Sequence, residues 1–381
     1  LASKTMSDDL DVLILGGGLA GRALALGLLG QGLPPGRILI ADKPTRSPFR
    51  VGESATPDVP QALARLGLSD DLAAQGHHPC HGTLSLWAGR RSHKDFLRSG
   101  QGHGWHLDRA AFDAMTQTAT RNRGIPERQD SIESLAWVQG RWEVAFGDGK
   151  RRRPRFLVDA AGRKSPLGTR LGARRHTLDQ MVALAVRIPG TPDSRTAMRG
   201  QSLVESMRDG WWYAAPLPDG SMVIQLMTDA DIARDGALRT PEAFLAAWRQ
   251  TEGLSDLIPP PATTNALGPI ATFPAQTGAL NKAAGPGWVA VGDALIGFDP
   301  LTSSGIAGAF SDAWAALPVV ARWLEEGPGT TAADAAITYG RAAQGTMIRY
   351  LRERSRLYSE EHRWPKAPFW ARRTQADPVS V

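Results

Sequence analysis

A chain of 381 residues is longer than one compact core usually fills, so two or three packed units are expected. With 42% hydrophobic and 22% charged residues, whole-chain disorder is excluded, and the single cysteine, Cys80, excludes an internal disulfide and suits a reducing cytoplasm. The net charge of +6 gathers at Lys150, Arg151, Arg152, Arg153 and Arg155 and again from Arg349 to Arg373, but no nucleic-acid module accompanies it, so no nucleic-acid partner is expected.

The first element is "DVLILGGGLAGRALALGLLGQG", a buried-strand run from Val12 to Leu15 passing through glycines into a helical pattern. Lys4 before it and Ala23-Leu24-Ala25 within it imitate a leader, but the glycines fall where a nucleotide-binding turn needs them and Arg22 interrupts any membrane span. No membrane association is expected. Residues before Met6 are set aside from the fold. Gly16 permits the tight turn, Gly18 lets a pyrophosphate approach the backbone, and Gly21 lets the helix pack against the strand. Leu19 and Ala20 lie between them, where the helix N-terminus offers free N–H groups to phosphate. The second strand, "RILIAD", ends in Asp42, placed to accept ribose hydroxyls, with Lys43 beside it. Strand, turn, helix and spaced acid together read as a dinucleotide site.

Further along, "VGESATP" carries Gly52, Glu53 and Ser54, and "HHPCH" sets His77, His78, Cys80 and His81 around Pro79. A zinc site draws its ligands from two separated pairs, so the second stretch reads as a loop near a pocket entrance, with His78 and His81 available for proton transfer, and no metal is expected. The turn "GDG" ahead of the first basic cluster joins two strand-like runs, which makes that cluster a solvated hairpin or a seat for an acidic protein or a phosphorylated cofactor. "FLVDAAGRKSPLGTRLG" is a strand running into small residues at Asp159 and Gly162. Residues 173–274 read as alternating strands, such as "MVALAVRI" and "SMVIQLM". "DGWWYAAPLPDG" lies among them. Strand alternation puts Trp211 and Tyr213 on one face, and both, with Trp212, are candidates for lining an aromatic pocket. "GWVAVGDALIGFDPLTSSGIAGAFSDA" gives a last strand, the pair Gly292-Asp293, a loop around Pro300, and a helix from about Gly305.

Taken together, these motifs resemble the FAD-dependent monooxygenases and their flavin-dependent halogenase relatives. The resemblance implies an α/β fold: a Rossmann-like FAD-binding domain of the p-hydroxybenzoate hydroxylase type (6–79, 104–172, 275–330), an inserted β-sheet substrate domain (80–103, 173–274) and a C-terminal helical region (331–381). It implies that Asp293 binds the ribityl chain of FAD. It also implies that the loop from Pro300 through Ser303, Ser304, Gly305 and Ile306 places a helix N-terminus by the flavin. By the same resemblance Arg109 of "HLDRAAFD" reaches the cofactor, Asp159 and Gly162 belong to the middle motif, and the Gly52 to Ser54 segment lies beside the flavin. No second glycine-rich nucleotide turn is present, so NAD(P)H visits transiently or a separate flavin reductase supplies the electrons.

The stretch Trp211 to Pro216 resembles the WxWxIP signature of flavin-dependent halogenases, with departures at Tyr213 and Ala215. That family needs a lysine after the GE(S/A)T segment and a glutamate before the Ser-Thr-Gly of the flavin loop. Here no lysine lies between Pro44 and His93, and Thr302 holds the glutamate's place. The resemblance then implies aromatic hydroxylation with O2 through a C4a-hydroperoxyflavin. "GHHPCHGTLSLWAG", "GHGWHLDR" and "GWWYAAPLPDG" are similar to segments of flavoproteins that hydroxylate a tryptophan in a partner protein while maturing tryptophylquinone enzymes. A small-molecule aromatic hydroxylase, a halogenase, an isoprenoid reductase and a non-catalytic FAD-binding chaperone stay open alternatives.

Overall fold

The computed structural model describes residues 10–43, 49–68, 72–96, 98, 100 and 102–374. Residues 6–9 of the expected cofactor domain and the tail beyond Thr374 lie outside them. Val12–Leu15 sits at the centre of a six-stranded sheet, flanked in parallel by Ile38–Asp42 and Phe156–Asp159. Trp288–Ala290 and Glu127–Gln129 extend it, again in parallel, and only Ala284–Gly285 runs antiparallel at the edge. Both faces of the sheet's centre are covered, which is why Val12–Leu15, Ile38–Asp42 and Phe156–Asp159 are largely continuous apolar runs and not alternating ones, whereas the edge strand Glu127–Gln129 is polar. This is the Rossmann-like arrangement. Helices Leu19–Gly30 and Gly305–Glu326 pack on each other beside it.

The buried Arg22 does not interrupt the core. Its guanidinium pairs with Glu127 and donates to Thr120 Oγ1 at 2.8 Å and to Gly17 O at 2.6 Å, so its charge is neutralised and the glycine turn is pinned. Among the described residues, no helix is long and apolar enough to cross a membrane.

The second large element is a seven-stranded sheet ordered Ala271–Pro274, Met181–Pro189, Ser221–Asp229, Gly210–Pro216, Gln201–Met207, Gly82–Trp87, Arg90–Asp95. Its pairs are antiparallel except Gln201–Met207 with Gly82–Trp87, because the chain returns to that strand from a distant part of the sequence. One face is covered by Pro241–Arg249 and its neighbours, burying Leu184, Leu226, Trp212, Phe244 and Trp248. The other face looks toward the six-stranded unit. A 30-residue helix, Thr330–Ser359, and a short one, Pro368–Thr374, complete the C-terminal helical region, with Tyr358, Phe369 and Trp370 fully buried against the sheet.

The first basic cluster forms the hairpin of Arg141–Phe146 with Arg151–Arg152, where Arg153 pairs with Glu143 at 3.3 Å and Lys150 with Asp148 at 3.4 Å. The second cluster is largely matched within the chain. Arg354 pairs with Asp179, Arg356 with Glu353 and Glu360, Arg363 with Glu361, and Arg372 and Arg373 with Asp229.

Candidate active site

The cavity between the two sheets has a volume of about 380 Å³. Its floor is the glycine turn. Gly16 adopts φ 104°, and a Cβ there would stand 2.2 Å from Ala160 O. A Cβ on Gly21 would stand 2.2 Å from Gly16 O, so these two glycines let turn and helix close on each other and neither lines the cavity. Gly18 is different: a Cβ there meets nothing within 4 Å, and Gly18, Leu19 and Ala20 face the cavity. Gly305, opening its helix, likewise has open space, and the N–H groups of both helix starts have no intrahelical partner. A cradle with two helix N-termini and space at two glycines fits a dinucleotide's phosphates and ribityl chain.

Around that floor stand Gly52, Glu53, Ser54, Arg109, Gly162, Asp293, Pro300, Ser303, Ser304, Gly305 and Ile306, all expected from the sequence. Gly292 lies directly behind: with φ 60° its Cβ would stand 2.7 Å from that of Ala20, so only glycine lets the Asp293 turn approach the helix. Asp42 Oδ2 would be 2.9 Å from a Cβ on Gly17, which puts its carboxylate at the turn but off the cavity wall, and Lys43 beside it is exposed.

The roof comes from the seven-stranded sheet. Trp211 pairs in register with Met227 and Tyr213 with Gln225, and these four, with Ala183 and Phe273, form the cavity's upper wall. Tyr213 Oη and Ser54 Oγ exchange a hydrogen bond at 2.5 Å, and Ser54 Oγ reaches Ser202 Oγ at 3.1 Å. Glu53 is 3% exposed. Its Oε2 accepts from Gly52 N at 2.9 Å and Gln225 Nε2 at 3.0 Å, while Oε1 is buried without a partner. Desolvation pushes its carboxyl up to about 7, against the hydrogen bonds and the Arg109 charge.

Four expectations are corrected. Asp159 does not face the cofactor cradle. Its carboxylate accepts from Ala161 N at 3.1 Å, Ser165 Oγ at 2.8 Å, Leu167 N at 3.0 Å and Gly168 N at 2.8 Å, which stitches the start of helix Pro166–Arg170 to the central sheet. Trp212 points to the opposite face of its sheet, edge-on to Phe244 at 5.0 Å between ring centres. His78 and His81 are exposed and line none of the cavity. In that stretch it is His77 and Cys80 that turn inward.

Sequence reasoning missed several groups. Arg163 pairs with Asp293 at 3.2 Å and donates to Phe298 O at 2.8 Å, holding the Asp293 turn to the loop before Pro300. Its signal was its place beside Gly162. Gln225 and Asp299 also line the cavity: Asp299 directly precedes Pro300 in the flavin-loop stretch and Gln225 lies in the strand "SMVIQLM", but neither was singled out.

A Rossmann-like sheet and a cradle of two helix N-termini beneath an aromatic-roofed cavity fit a dinucleotide-dependent oxidoreductase. The family model described as tryptophan halogenase matches residues 88–377, and the chain belongs to that family. The putative FAD-dependent oxidoreductase LodB of Marinomonas mediterranea is 30% identical over 376 residues, spanning 96% of this chain and 97% of that one. The tryptophan 2-halogenase of Chondromyces crocatus is 25% identical over 306 residues, 77% of this chain and 58% of that one. Among solved structures, QhpG, a peptidyl tryptophan dihydroxylase essential for tryptophylquinone cofactor biogenesis, matches with a TM-score of 0.78 and 25% identity, covering 98% of this chain and 80% of that one. CmlS, a flavin-dependent halogenase, matches in fold with a TM-score of 0.83 and 21% identity, over 96% and 68%. The chain is a flavin-dependent oxidoreductase that uses FAD.

Proposed function

We propose that this enzyme is an FAD-dependent monooxygenase that hydroxylates an aromatic ring, and that the ring is a tryptophan side chain of a partner protein destined to become a tryptophylquinone. The observation that carries the reading is the roof of the cavity: Trp211, Tyr213, Phe273 and Met227 line the same cavity as the cofactor cradle. Bound FAD, once reduced, activates O2 and supplies the electrophilic oxygen. Electrons come from NAD(P)H or a separate flavin reductase.

The chain's own residues bind, orient and shield. Tyr213 and Phe273, both half-buried, offer aromatic surface for an indole, with Trp211, 1% exposed, packed in the same wall. Glu53 holds a proton near neutrality beside Gln225, within the same wall. Among the described residues, the cationic side chains lining the cavity are Arg109 and Arg163 and no lysine lines it, which disfavours capture of a hypohalous acid and so disfavours halogenation. The peptidyl tryptophan dihydroxylation of QhpG supports tryptophan within a protein as the target; a buried free thiol, Cys80, agrees with a cytoplasmic setting.

The test is mass analysis of a tryptophan-bearing quinoprotein subunit precursor after incubation with the holoenzyme, NADH, a flavin reductase and air. Each oxygen inserted adds about 16 Da on the target residue, with the pocket supplying orientation. Free tryptophan oxidised as fast as any protein, with the precursor unchanged, replaces this reading with a small-molecule hydroxylase.

A further inference from the structure

No residue of the helix Thr330–Ser359 lines the cavity, yet three of its side chains converge on a cavity aspartate. Tyr350, Arg354 and Tyr358 are spaced by four residues, which places them along one face of the helix. Tyr350 Oη accepts the Asp299 N–H at 2.8 Å and meets Thr277 Oγ1 at 2.8 Å. Arg354 Nε lies 3.4 Å from Asp299 Oδ2, with its Nη2 on Asp179 at 2.8 Å. Tyr358 Oη donates to Asp299 Oδ2 at 2.7 Å.

The same Tyr358 oxygen also accepts the indole N–H of Trp211, at 3.0 Å. The direction of this relay is fixed, because an indole nitrogen only donates and a carboxylate only accepts. Asp299 and Trp211 belong to different parts of the cavity. Asp299 starts the loop that carries Pro300, Ser303, Ser304 and Gly305, and its Oδ1 accepts from Leu301 N at 2.9 Å. Trp211 belongs to the aromatic roof. Tyr358 is fully buried among Trp87, Phe369 and Trp370, so water cannot replace either bond.

We propose that Tyr358 is a positioning residue. Through its hydroxyl, the C-terminal helix fixes the aromatic roof relative to the loop that holds FAD. Removing the hydroxyl leaves an indole N–H unpaired in the core and lets roof and loop relax separately. The part of this inference that concerns substrate rests on the monooxygenase reading above; the part that concerns FAD does not.

The decisive measurement is titration of FAD into the apoprotein, comparing Tyr358→Phe, Trp211→Phe, their double variant, and Trp87→Phe. Trp87 packs on Tyr358 and donates to Leu357 O at 2.9 Å but lies outside the cavity, so it reports general loosening of this core. Loss of one buried hydrogen bond corresponds to roughly tenfold weaker binding where loop order and FAD binding are linked. We expect about that loss for Tyr358→Phe and Trp211→Phe, no further loss in the double variant, and wild-type affinity for Trp87→Phe despite a lower Tm. Wild-type affinity in Tyr358→Phe, equal loss in Trp87→Phe, or additive losses in the double variant would each overturn the proposal. Should Tyr358→Phe not fold, Trp211→Phe with Asp299→Asn tests the same link from its two ends, where additive losses overturn it. In holoenzyme that hydroxylates, Tyr358→Phe should also lower product formed per O2 consumed. Failure of the wild type to hydroxylate overturns the monooxygenase reading and leaves the FAD titration to decide this one.

Discussion

Trp211 and Trp212 are chain neighbours that stand on opposite faces of one sheet: Trp211 helps roof the cavity, while Trp212 is buried against Phe244 and Trp248. Their substitutions should therefore separate. Trp212→Ala removes a fully buried ring and is expected to cost about 3–5 kcal/mol of stability with turnover per folded molecule unchanged. Trp211→Phe removes a buried indole that donates to Tyr358 Oη, so it should cost about 1–3 kcal/mol of stability and, unlike Trp212→Ala, also lower product formed per O2 consumed. Thermal melts and product-to-oxygen ratios on both variants check the contrast, and an unchanged ratio in Trp211→Phe would remove Trp211 from the site.

The glycines of the turn should divide in the same way. Gly18→Val places its side chain in open space, so the apoprotein should fold with wild-type Tm and bind no FAD. Gly21→Val meets Gly16 O at 2.2 Å and should lower the Tm of the apoprotein itself. Melting the apoproteins and scoring bound flavin by its yellow colour distinguishes the two.

Glu53 makes a prediction about pH. Its carboxyl is raised by burial from 4.5 to about 7, so between those values the folded protein holds a proton that the unfolded chain has released. Stability from this group is therefore greatest below pH 4.5, falls as pH rises toward 7, and is level above it. The whole change is about 3 kcal/mol as an upper figure. Glu53→Gln should be more stable than wild type at pH 8 and equal to it at pH 4.5, measured as the difference in Tm between the apoproteins. The same difference at both pH values would mean that Glu53 does not titrate there.

Neither bromide nor chloride should be incorporated into indole or tryptophan by the reduced holoenzyme. Among the described residues no lysine lines the cavity, and Thr302, at the position of the family's glutamate, accepts from Ser304 Oγ at 2.9 Å and lies off the cavity. A product with a halogen isotope pattern in its mass spectrum would return the enzyme to the chemistry of its halogenase relatives.

The nucleotide frame was legible in the sequence because its chemistry is local. Turn, helix start and strand end lie within about thirty residues, as dinucleotide sites require, so the turn at Gly16, Gly18 and Gly21 is announced by its spacing, while Asp42 ends its strand at the turn but off the cavity wall. The strand alternation that joins Trp211 to Tyr213 is local as well. What lay beyond the sequence was which face of that strand meets the cofactor, since periodicity is the same for either face; only packing of Pro241–Arg249 on the Trp212 side decided it. Asp159 was misassigned for a related reason. An acid at a strand end can turn toward a ligand or toward the next helix start, and the nearby N–H groups of Leu167 and Gly168 claimed it. The relay through Tyr358 had no sequence signal at all. It joins residues 147 and 59 positions apart, and such contacts exist only once the C-terminal helix has docked on the sheet.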